Sequence, residues 1–132
     1  MKTSRLFLMS ILAVWTINSS IQAAEINGPN QWTHDYGAAR RLSKKLGLPV
    51  IVHIHASWCG PCQQMERETL GSRQLRSHMG TSFIGVKIDS DQEPGLVEAF
   101  RIQSLPSDIV IAPGGRIVDR SAGYQTRGQY IA

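Results

Sequence analysis

Trp58-Cys59-Gly60-Pro61-Cys62 holds both cysteines of the 132-residue sequence. A Cys-x-x-Cys pair serves either as half of a zinc site or as a thiol-disulfide site, and a structural zinc site needs a second pair of cysteine or histidine ligands downstream at similar spacing. The sequence has no such second pair. The flanks favour sulfur chemistry. Val50-Ile51-Val52-His53-Ile54-His55 ahead of the pair reads as a strand, and residues 63–70 after it read as a helix. Free N–H groups and the positive end of the macrodipole gather at a helix start and favour thiolate over thiol, so Cys59 is the expected nucleophile. Pro61 suits a first helical turn, and Gly60 lets the backbone pass close to the sulfur and its substrate. Cys62, one turn further in, is expected to be less exposed and to attack a mixed disulfide from behind.

Working outward, residues 83–88 read as the next strand. About 25 residues of mostly helical pattern separate it from the first, which predicts parallel neighbours joined by a right-handed crossover. Between them, residues 72–79 read as a short helix ended by Gly80. Residues 93–100 form another, with Pro94 at its start and Leu96, Val97 and Phe100 turned inward. Residues 108–112, Pro113-Gly114-Gly115 and residues 116–120 read as a hairpin. Ahead of the first strand, residues 36–46 form a helix with Thr33 or Asp35 as cap and Gly47 as stop. Its Ala39, Leu42 and Leu46 share one face, and the basic residues at 40, 41, 44 and 45 read as solvated charges near the helix end.

With these elements in place, the chain resembles the thioredoxin family: a Trp-Cys-Gly-Pro-Cys run after a hydrophobic strand, Lys87 on the next strand with Asp91 in the acidic loop that follows, and the run from Phe100 to Leu105-Pro106. The resemblance covers nearly all of the chain beyond the leader. It implies an α/β, thioredoxin-like fold with a central mixed sheet of about four strands flanked by helices. It also implies a cis Leu105-Pro106 bond packed against Cys59, leaving the backbone of Leu105 to pair with an extended substrate segment. Trp58 supplies an apolar wall beside the sulfur, so Trp58, Gly60, Pro61, Leu105 and Pro106 are the expected substrate-binding residues. The chain departs from the family pattern in two places. Residues 124–132 are too few for the long terminal helix that usually covers one face of the sheet, so this helix is expected to be short or truncated and that face thinly covered. His53 and His55 stand where the family commonly has a buried aspartate and an aromatic residue.

Residues 51, 53 and 55 point to one face of their strand and residues 50, 52 and 54 to the other. His53 therefore shares a layer with the dithiol and is the candidate proton acceptor for Cys62. Two alternatives stay open for the histidines: ordinary hydrogen-bonded core residues, or ligands, since imidazole with thiolate suits copper or zinc.

The N-terminus carries Lys2 and Arg5, an apolar stretch over residues 6–17, polar Asn18-Ser19-Ser20, and then Ile21-Gln22-Ala23-Ala24. This has the layout of a secretory signal peptide over residues 1–24, with cleavage after Ala23 or Ala24; the alternative is an uncleaved anchor. The remaining 25–132 suffice for one thioredoxin-like domain. The expected location is periplasmic or extracellular. The formal charge of +4 is mild, and no basic run interleaved with aromatics speaks for nucleic acid. Cross-linking a four-residue loop adds little stability, because the entropic gain grows with loop length; reactivity is the better use of this pair.

Three functions follow. The first is an exported oxidoreductase acting on disulfide-containing protein substrates, with Gly60-Pro61 pointing to a reductant. It would need no cofactor, act as a monomer, and draw electrons from a membrane thiol donor. The second is a copper- or zinc-binding module using Cys59, Cys62, His53 and His55. The third is an interaction domain whose disulfide is structural.

Overall fold

The computed structural model describes residues 30–132. The expected leader lies outside them. Among the described residues, no helix is long and apolar enough to cross a membrane.

The apolar run expected at residues 50–55 forms β1 (Val50–His55), at the centre of a four-stranded sheet. β1 pairs in parallel with β2 (Ile84–Asp89) and antiparallel with β3 (Ser107–Ile111), and β4 (Ile117–Ala122) completes the order β2-β1-β3-β4. Alternation sorts β1 cleanly. Val50, Val52 and Ile54 are fully buried in one apolar cluster with Ile84, Val86, Ile88, Ile109 and Ile111. Each such side chain contributes about 1.5–3 kcal/mol on burial. Helix α1 (Tyr36–Leu46) supplies Ala39 to this face, while α4 (Pro94–Ala99) and Phe100 beyond it close the other end.

Asp35 is the cap of α1, its carboxylate accepting the Ala38 N–H at 2.8 Å, and Gly47 ends the helix at φ 68°. Two details of α1 differ from expectation. Leu46, the last residue of the helix, is 42% exposed and does not join the core with Ala39. The Arg40 guanidinium is not free in solvent: it donates to the carbonyls of Ala112 and Pro113, tying α1 to the β3–β4 turn.

The opposite face is covered by four short pieces. Helix α2 (Gly60–Met65) runs into a π-helical segment (Glu66–Leu70) closed by a Gly71 N–H to Glu66 carbonyl bond of 2.9 Å. Helix α3 (Arg73–His78) follows, and the short α5 (Arg127–Ile131) returns from the C-terminus. Met65, Leu70, Leu75, Met79 and Phe83 form the core here, with Trp32, Ile51, Tyr124, Tyr130 and Ile131 packed against it. The face expected to be thinly covered thus has a lid in α5. Thr126 caps it with a reciprocal Gln129 contact, and Tyr130 and Ile131 point inward.

Upstream of α1, Thr33 pairs with the outer edge of β2, donating to Gly85 and accepting from Lys87. This covers an edge that would otherwise offer unpaired backbone groups. It also lays Trp32 flat over Gly85, where any Cβ would sit 2.7 Å from the indole.

Candidate active site

Cys59 is the cap residue of α2, Pro61 sits in the first turn, and Cys59 and Cys62 are joined as a disulfide. The Cys59 sulfur accepts the Cys62 N–H at 3.2 Å, so one of the free donors of the helix start already points at it. Both sulfurs are well covered: Cys59 is 5% and Cys62 3% exposed, so burial does not separate the two as expected. Position separates them, because they face different hollows. Cys59 lines an open groove of about 440 Å³ with Trp58, Gly60, Pro61, Val97 and Leu105. Cys62 lines a second hollow of about 470 Å³ beneath, with His34, His53, His55, Glu66 and Lys87.

Of the residues expected to bind substrate, Trp58, Gly60, Pro61 and Leu105 line the groove, and Pro106 does not. Leu105 packs against Ala56, Cys59 and Cys62, the Leu105-Pro106 bond is cis, and Pro106 is buried. Trp58 is 69% exposed, and its indole N–H donates to Asp91 at 2.9 Å, which fixes the ring at the groove wall.

The lower hollow is built on a polar row. Lys87, His53, Asp108 and Ser121 are in register on β2, β1, β3 and β4 and therefore share a face. His53, 1% exposed, meets Asp108 through Nδ1···Oδ1 at 2.8 Å, and the Tyr130 hydroxyl donates to the same Oδ1 at 2.8 Å. Burial and the neighbouring Asp108 push the Tyr130 hydroxyl well above the ordinary phenol range, so it remains a donor. His55 stacks on His53 with ring centroids 5.8 Å apart. Burial, then its neighbour His53, lower the His55 pKa. Trp32 approaches His53 edge-on at 6.4 Å. Lys87 bonds Glu66 at 2.6 Å over the same face.

Neither Asp108, Tyr130 nor Trp32 was singled out from sequence. Asp108 carried a signal. It takes an inward position at the start of an otherwise apolar strand, in a chain whose first strand carries His53 and no carboxylate. Tyr130 and Trp32 carried none, because their roles depend on how the chain ends fold back. The copper or zinc reading finds no support: among the described residues no cluster of three or more histidine, cysteine or acidic ligands forms, and His53 spends one nitrogen on Asp108.

A helix-start disulfide beside a cis-proline on a mixed four-stranded sheet defines a thiol-disulfide site on a thioredoxin fold. The thioredoxin-like family model matches residues 31–113. A thioredoxin-like protein of Synechocystis is 40% identical over 83 residues, covering 63% of this chain and 75% of that one. Thioredoxin 1 of Chlorobaculum tepidum is 34% identical over 87 residues, covering 64% and 82%. The solution structure of a thioredoxin from Thermus thermophilus superimposes with a TM-score of 0.69 over 77% of this chain and 82% of that one, at 22% identity, which shows the shared fold. The chain belongs to the thioredoxin-like family. With Cys59 and Cys62 at bonding distance, it is a dithiol redox protein of a family that acts on disulfides.

Proposed function

We propose that this protein is an exported reductant of protein disulfides. The observation that carries the reading is the division of the two sulfurs: Cys59 opens to a groove that accommodates an extended chain, Cys62 to a hollow that holds a base. The Cys59 thiolate attacks a substrate disulfide, forming a mixed disulfide and releasing one substrate thiolate. Cys62 then gives its proton to His53 and attacks the Cys59 sulfur. The Cys59–Cys62 bond forms, the second substrate sulfur leaves with the electron pair, and the imidazolium returns its proton to that thiolate. The substrate gains two electrons and the protein dithiol loses them. Trp58, Gly60, Pro61 and Leu105 hold the substrate segment. A membrane thiol carrier is the chemical class of donor that would restore the dithiol, and the leader supports that setting.

Alkylation of the reduced protein near neutral pH tests the roles: Cys59 should label rapidly and Cys62 slowly. Cys62→Ser should accumulate mixed disulfide with substrate and Cys59→Ser should not. Equal labelling removes the assignment. The reduction potential tests direction, with a value near the roughly −270 mV of thioredoxins expected and one near the −120 mV of strong oxidants excluding a reductant. For export, the protein recovered from its producing cell should begin near Ala24 or Glu25; retention of Met1 on exported material would overturn the leader.

A further inference from the structure

The buried pair beneath Cys62 contains more than the base. A lone histidine there would be free to carry its proton on either nitrogen, and only one tautomer leaves a lone pair for Cys62. The carboxylate of Asp108 faces Nδ1 at 2.8 Å, so Nε2 is the nitrogen not committed to Asp108, and His53 and Cys62 line the same hollow. The carboxylate is itself held: Oδ1 also accepts the Tyr130 hydroxyl, while Oδ2 is buried and has no partner within the described protein. An acceptor so placed draws its compensation from Nδ1–H, and more strongly once the imidazole is charged.

We propose that Asp108 and Tyr130 are positioning residues for the reaction: Asp108 fixes His53 as the Nδ1–H tautomer and stabilises the imidazolium formed when Cys62 is deprotonated, and Tyr130 fixes Asp108. This rests on the reading of His53 as base. On the first strand a histidine faces the hollow and carries the proton, its carboxylate partner stands one strand across at Asp108, and the short C-terminal helix reaches into the site through Tyr130. The other charged or titratable groups around His53 are His55 on its own strand, Lys87 on β2, Glu66 and Arg67 on the π-helical segment, and His34 at the mouth of the hollow.

Stopped-flow reaction of the reduced protein with an aromatic disulfide whose thiolate product is coloured resolves two steps, attack by Cys59 and release by Cys62, across pH. Release should rise with pH, as a base-assisted step does. Asp108→Asn keeps an oxygen acceptor but removes the charge, so release should slow by about ten-fold or more, and its pH limb should move to lower pH because the imidazolium has lost its counter-charge. Tyr130→Phe removes the donor that shares that charge, so its limb should move the opposite way, to higher pH. A protein whose Asp108 and Tyr130 serve packing alone would lose rate with both limbs unmoved, and that result overturns the proposal. If Asp108→Asn does not fold, the limb of Tyr130→Phe decides alone. Ring ¹⁵N shifts of His53 in the reduced wild type give an independent reading: a protonated Nδ1 is expected, and a protonated Nε2 in the neutral ring overturns the proposal. His53→Ala separates the two levels. Unchanged release in that variant defeats the base itself, whereas slowed release there with normal release in Asp108→Asn defeats only the relay.

Discussion

The two faces of β1 share one backbone and the same central place in the sheet, yet they do opposite work. Val50, Val52 and Ile54 are fully buried among aliphatic side chains and carry no polar atom beyond the paired backbone. Ile51, His53 and His55 face a layer containing Asp108, Tyr130, Lys87 and the hollow of Cys62. The first face satisfies itself by shape. The second must satisfy hydrogen bonds, and it does so incompletely: Trp32 Nε1, His55 Nε2 and Asp108 Oδ2 are buried without partners among the described residues. A buried unpaired polar group costs about 1–3 kcal/mol. One side of the strand is therefore packing alone, whereas the other divides its layer between an apolar core and the buried polar groups beneath Cys62.

Ile54→Ala should break that division most visibly if it is wrong. The side chain is fully buried in the aliphatic cluster, so its truncation should lower unfolding stability by about 2–5 kcal/mol, seen as a lower denaturant midpoint. Release of a mixed disulfide by the folded protein should stay near the wild-type rate, because Ile54 points away from the hollow. A large loss of release rate in folded Ile54→Ala would mean that the two faces are coupled through the strand.

The aliphatic face was the legible one. Alternation of apolar residues over Val50–His55, the apolar run of β2 and the turn residues of the β3–β4 hairpin place all four strands from local pattern, because burial imposes a period of two wherever a face is dry. The dithiol was legible for the same reason of locality: two cysteines, the intervening Gly-Pro and a following helix lie within a few residues. What sequence did not disclose was built from distant parts. Alternation along β1 puts His53 on one face with Ile51 and His55, but the carboxylate it meets lies on another strand, and Tyr130 arrives from the last helix. The π-helical step after α2 likewise has no signature in residues 66–70, since an extra residue per turn is settled by what the helix packs against. Arg40 reads as one of four solvated cations and is distinguished from them only by two carbonyls more than seventy residues away.

On the polar side of β1, His55 makes stability depend weakly on pH. His55 stacks on His53, its Nε2 is buried without a partner among the described residues, and burial, then its neighbour His53, lower its pKa from the usual histidine value, while Asp89 and Glu66 oppose that shift. The unfolded chain leaves His55 at about 6.5. The folded protein therefore binds its proton less readily than the unfolded chain does, and stability must rise with pH wherever the unfolded state holds more protons. The contribution is fully present above about 6.5 and is lost as pH falls from there through the lowered folded value. His55→Phe, an aromatic of similar breadth that cannot charge, should remove this part of the acid dependence. Urea midpoints measured from the neutral range into mild acid should fall less steeply for the variant than for the wild type, while the two proteins' slopes run parallel above neutrality. Identical acid slopes would show that His55 reaches solvent freely enough to titrate as it does unfolded, and that its place on the polar face costs the fold nothing in acid.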